Sequence, residues 1–105
     1  MDSHCHSVLG HDIRLTPERW AHIVESHDYM AGNYDLLLET LISPDQVVLT
    51  PNGEHYALRN YSSTIIGAKT CVVIYRDEDN GFVITSLLTS KPQQFVKRGV
   101  SVWKQ

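Results

Sequence analysis

Asn33-Tyr34-Asp35-Leu36-Leu37-Leu38-Glu39-Thr40-Leu41-Ile42-Ser43-Pro44-Asp45-Gln46-Val47-Val48-Leu49-Thr50 contains the change of period that decides the fold. Up to Ile42, the residues Tyr34, Leu37, Leu38 and Leu41 recur at helical spacing and form one apolar stripe, with Asn33 as a candidate cap. Ser43-Pro44-Asp45 stops that helix, because proline disfavours helical geometry in the residue before it. Beyond it the period falls to two. Gln46–Thr50 reads as a strand, Pro51–Glu54 as a turn and His55–Tyr61 as a second strand. Ser62–Ala68 is a loop around Gly67, and Lys69–Arg76 is a β-branched third strand. Asp77–Gly81 is a turn, Phe82–Thr89 a fourth strand, Lys91–Gly99 a basic loop and Val100–Trp103 a short edge strand.

On the N-terminal side, Thr16-Pro17-Glu18-Arg19-Trp20-Ala21-His22-Ile23-Val24-Glu25-Ser26-His27 predicts a capped amphipathic helix. Thr16 suits the N-cap, Pro17 the first helical position, and Glu18 the positive end of the helix dipole. Trp20, Ile23, Val24 and His27 share one face. Residues 1–12 are polar and histidine-rich and read as a flexible arm, leaving 13–105 as a single domain. The predicted fold class is α+β: two N-terminal helices packed on a curved antiparallel sheet of four strands, or five with the edge strand.

Twelve acidic against nine basic residues give 105 residues a net charge of −3, which argues against a broad basic footprint for duplex nucleic acid. Acidic residues dominate up to Asp45, while Lys91, Lys97, Arg98 and Lys104 gather at the end and can form a basic edge. Two cysteines, Cys5 and Cys71, are too few for a disulfide framework and fit a reducing compartment. Cys71 lies in an apolar run and reads as a buried, inert thiol. No stretch is long enough to span a bilayer and the start lacks a signal-peptide pattern, so cytoplasmic localisation without a membrane partner is expected. His4-Cys5-His6 with His11 invites a metal reading, but four convergent ligands are missing and no metal is expected.

Three positions invite a chemical reading. His27 on the apolar face is either a neutral general base at a cleft or a structural imidazole bonded to a backbone carbonyl. His22 projects almost opposite and reads as a surface residue unless the helix borders a cleft. Arg59 alternates with His55, Ala57 and Tyr61 on one strand face, where a guanidinium beside tyrosines suits a phosphate clamp or is simply a solvent-facing charge. Thr85, sharing a face with Thr89, offers a hydroxyl for a phosphate oxygen or is a plain β-favouring residue. Glycine-rich, paired-carboxylate and serine-elbow signatures are missing.

The series Leu15-Thr16-x-x-Arg19-Trp20-x-His22-Ile23-x-x-x-His27, Leu41-x-x-Pro44-Asp45-x-Val47-Val48, Tyr56-x-x-Arg59, Val72–Tyr75, Gly81-Phe82-Val83-Ile84-Thr85 and Val102-Trp103 resembles the small phage and bacterial nuclease-like domains of the barnase–EndoU–colicin–RelE superfamily. The resemblance spans about Ile13–Trp103. It implies a metal-independent, cofactor-free endoribonuclease, a hydrolase-class toxin or phage-associated effector that cleaves RNA by attack of the ribose 2′-hydroxyl on phosphate. Carried onto this chain, it implies His27 and His22 as the helical histidines, Arg59 as the phosphate cation and Thr85 as the strand hydroxyl. Lys69, Tyr61, Lys97 and Arg98 are the expected substrate-binding residues. The implied partners are RNA and a cognate antitoxin or inhibitor protein, with a homodimer open through the apolar edge strands. The competing expectation is a non-catalytic protein-binding module on the same fold.

Overall fold

In the computed structural model, which describes residues 2–105, the switch from helix to strand falls at Ser43–Asp45 as the sequence predicts. The elements run β1 (Ser3–His6), β2 (Asp12–Leu15), α1 (Pro17–Ser26), a 3-10 turn (Asp28–Gly32), α2 (Tyr34–Ile42), β3 (Gln46–Leu49), β4 (His55–Tyr61), β5 (Lys69–Arg76), β6 (Gly81–Thr89), α3 (Gln93–Val96) and β7 (Val100–Lys104). Thr16 caps α1 as predicted, its hydroxyl accepting the Arg19 N–H at 3.1 Å. Asn33 precedes α2 but its side chain makes no cap; its amide instead donates to the Tyr29 carbonyl at 2.8 Å.

The fold is α+β, but the sheet is larger than predicted: seven strands in the order β1-β2-β6-β5-β4-β3-β7. It is mixed, because β2 runs parallel to β6 over Ile13↔Gly81 and Arg14↔Phe82, while all other pairs are antiparallel. Residues 3–15, most of them assigned to a flexible arm, form the β1–β2 hairpin. Their inward alternation is carried by Cys5, Ile13 and Leu15, all buried, with histidines and charges between them. Pairing and burial hold these four-residue strands together against a weak local propensity. A third helix, α3, arises inside the predicted basic loop.

Both sheet faces are covered. On one, α1, the 3-10 turn and α2 pack Ile23, Met30, Leu37 and Leu41 against Ile13, Ala57, Cys71, Val73, Tyr75, Val83 and Leu88. On the other, Phe95 of α3 seals Val48, Tyr56, Leu58 and Val72. Cys71 is fully buried, and desolvation pushes its thiol up from the ordinary range, in keeping with an inert role. No helix among the described residues is long and apolar enough to cross a membrane.

Gly81 opens β6 where backbone crowding is greatest. A Cβ there would overlap the Arg76 carbonyl oxygen, lie 2.7 Å from Ile13 Cδ1 and 2.9 Å from the Glu78 carbonyl oxygen. Gly81→Ala is therefore expected to destabilise the fold by about 1–3 kcal/mol by prising β6 from β2. A urea unfolding midpoint unchanged from wild type would contradict this packing.

Candidate functional site

Arg59 is placed by β4 on the helix-covered face, and α2 captures it there. Its Nη1 donates to the Ser43 carbonyl at 2.5 Å, its Nε lies 3.5 Å from Glu39 Oε1, and its guanidinium sits 5.6 Å from the Tyr61 ring centroid. Glu39 also accepts the Tyr61 hydroxyl at 2.6 Å. Burial and this carboxylate push the Tyr61 hydroxyl up to about 12. Arg59 thus satisfies a carbonyl at the C-terminus of α2 and ties that helix to β4, a staple rather than an open phosphate clamp. Arg59→Ala is expected to cost about 1–2 kcal/mol, measured by urea unfolding, because its hydrogen bond to the Ser43 carbonyl and its ion pair with Glu39 are charge-assisted but part-exposed.

His27 does not meet Arg59. It ends α1 as the C-cap at φ −139°, so helical spacing no longer directs its side chain. Its Nδ1 is 3.4 Å from the Tyr29 hydroxyl, which lies against the backbone of Leu88. Leu88 pairs with Cys71 and Cys71 with Arg59, so the Leu88 and Arg59 backbones are two strands, about 10 Å, apart. Thr85 pairs with Ile74, which pairs with Tyr56, and therefore occupies the opposite, α3-covered face. The expected cluster of His27, Arg59 and Thr85 is not assembled. Its failure is geometric: a capped helix end and an intervening sheet separate the three groups.

Tyr61 and Lys69 do come together. They are cross-strand partners and line a groove of about 330 Å³ with Asn60, Thr70, Thr89 and Ser90 at one end of the sheet. Lys97 and Arg98 follow α3 and are exposed, with the Arg98 guanidinium 4.7 Å from the Phe95 ring centroid. In the β1–β2 hairpin, strand alternation turns Cys5 into the core and His4 and His6 outward. His4 Nδ1 is 2.7 Å from Asp12 Oδ2. Among the described residues no group of three or more histidine, cysteine or acidic side chains is disposed to hold a metal ion.

The groups suited to acid–base work at an anion gather elsewhere, at the start of α1. Thr16, Glu18, Arg19 and His22 line a groove of about 290 Å³. A second slot of about 170 Å³ shares Thr16 and Arg19 and adds Arg14, Phe82 and Val83. It opens where β2 leaves β6 after only two paired positions. One turn of helix sets His22 beside both Glu18, at i+4, and Arg19, at i+3, and the parallel register brings Arg14 beside Phe82, which is 39% exposed. The site combines an imidazole, a carboxylate, two guanidiniums and the positive end of a helix dipole. The residue order reveals the Glu18–Arg19–His22 grouping to anyone who follows the polar face of α1 instead of its apolar stripe. Arg14 has no such signal, since its place depends on the β2–β6 pairing.

Comparison of the chain with known protein families, with curated proteins and with solved structures finds no match.

Proposed function

We propose that this chain is a metal-independent endoribonuclease-like domain of the toxin or phage-associated kind, working from the groove at the start of α1. The observation that carries this reading is the convergence of His22, Glu18 and Arg19 on one groove, with Arg14 and Phe82 flanking the adjoining slot. Cleavage by 2′-hydroxyl attack needs a base at the hydroxyl, a cation on the phosphate and an acid at the leaving 5′-oxygen. His22 and Glu18 supply the two proton-transfer groups. Arg19 and Arg14 offer planar forks to the non-bridging oxygens, where charge accumulates as the phosphorus becomes five-coordinate. Phe82 offers its exposed ring to a neighbouring base. The 2′-oxygen then bonds to phosphorus, the 5′-oxygen departs with a proton, and a cyclic phosphate remains.

This reading moves the working histidine from His27 to His22 and the phosphate cation from Arg59 to Arg19. A cognate inhibitor protein of acidic character would complement the two guanidiniums. One observation favours a second reading, a non-catalytic protein-binding module: β7 is an open sheet edge with Val100 and Val102 exposed.

A fluorescent single-stranded RNA in excess chelator separates them. Wild-type protein is expected to leave cyclic-phosphate ends, and Arg19→Ala, folded by circular dichroism, is expected to lose most of that cleavage. RNA left whole at every protein concentration would hand the assignment to the protein-binding reading.

A further inference from the structure

The two most exposed large apolar side chains among the described residues stand at opposite ends of the sheet: Ile65 is 69% exposed and Val100 70%. Ile65 and Ile66 sit on the β4–β5 loop, which runs on beyond the last cross-strand pair, Tyr61↔Lys69. That loop is a fixed knob. Thr64 and Gly67 exchange backbone hydrogen bonds of 2.9 and 3.1 Å. The Thr64 hydroxyl also donates to the Gly67 carbonyl at 2.6 Å and accepts the Ile66 N–H at 3.2 Å. Gly67 closes the turn at φ +96°, where a residue with a side chain is strained. Val100 lies at the other end, paired with Leu49, which in turn pairs with His55. The length of β4, about 20 Å, separates the two ends. There Leu49, Thr50, Pro51, Gly99 and Val100 line a pocket of about 320 Å³ with mostly apolar walls.

We propose that the Ile65–Ile66 turn of one copy of this chain seats in the pocket of Leu49, Pro51 and Val100 on a second copy, a head-to-tail contact between unlike surfaces. The knob is convex and apolar, the pocket concave and apolar, and their union takes isoleucine and valine surface out of water. The charges beside them are complementary. Lys69 follows the knob, and Glu54 borders the pocket, its carbonyl accepting the Thr50 N–H at 2.9 Å. Neither side chain has an ion-pair partner among the described residues. Arg98, the cation next to Gly99, is folded onto the Phe95 ring, 4.7 Å from its centroid. Because the turn is already held by its own hydrogen bonds, seating it orders little that is free. A few side chains cover far less than the roughly 800 Å² that a stable dimer buries on each partner, so the contact is weak and concentration-dependent. It stands independently of the groove at the start of α1.

Sedimentation velocity over a concentration series reaching about 1 mM tests the contact on wild type, Ile65→Asp and Val100→Asp, the variants checked for folding by circular dichroism. The average mass of wild type is expected to rise above that of the monomer as concentration increases. Each variant alone is expected to remain monomeric, because each has lost one half of the contact. An equimolar mixture of the two is expected to associate again, through the intact knob of the Val100→Asp variant and the intact pocket of the Ile65→Asp variant. A wild-type mass constant over the series, a variant that associates like wild type, or a mixture that stays monomeric overturns the proposal. If Val100→Asp fails to fold, Pro51→Asp, at an exposed position of the same pocket, takes its place.

Discussion

Ile23→Ala is expected to lower the unfolding free energy by about 2–5 kcal/mol. Ile23 is the one fully buried residue of α1; its stripe neighbours Trp20 and Val24 remain half-buried. Ten residues form a helix too short to persist by itself, so α1 depends on what it packs against. Trp20 contributes at the margin through an edge-to-face contact with Tyr34, ring centroids 4.9 Å apart. Truncating Ile23 removes the anchor over β6 and leaves a cavity among Met30, Val83 and Leu88, which pack in the same cluster. Urea unfolding of Ile23→Ala beside Val24→Ala measures it. A loss below about 1 kcal/mol for Ile23→Ala would mean that α1 is anchored by its edges instead.

His22→Ala carries the largest expected effect on activity, a fall in RNA cleavage of about 10²- to 10⁴-fold, the usual contribution of a positioned acid or base. His22 is exposed and makes no contact that the core needs, so its removal should leave stability within about 0.5 kcal/mol of wild type. His27→Ala is the matched control. It removes an imidazole one helical turn and a half away that rests on Tyr29 and should leave cleavage near the wild-type rate. Cleavage that survives His22→Ala and disappears in His27→Ala would reverse the assignment and place the chemistry at the C-terminus of α1.

The contrast between these two histidines shows what local sequence can carry. Thr16, Pro17 and the spacing of Trp20, Ile23 and Val24 predict α1 because capping and periodicity act within a few residues. The same rule puts His27 on the apolar stripe, and it fails where the helix ends. Residue 27 has left helical geometry, and its ring turns to Tyr29. Arg59 fails differently. Strand alternation places it on the correct face, beside Tyr61, but nothing local says that Glu39 and the Ser43 carbonyl will close on it. That outcome depends on where α2 crosses β4.

The sequence by itself determined the capped α1, the break at Pro44, the full extents of β4 and β5 and the division of the β4 residues between two faces. These follow from steric preference and hydrophobic period, which act over a few residues. Only the tertiary structure decided that the N-terminal residues pair as a hairpin, that β2 lies parallel to β6, and that Arg14 stands beside the groove of Glu18, Arg19 and His22. The β2–β6 pairing joins segments far apart in the chain, and it is what holds the hairpin and Arg14 in place. Its energy comes from burying Cys5, Ile13 and Leu15 together with the rest of the core, a gain that no short window of residues contains.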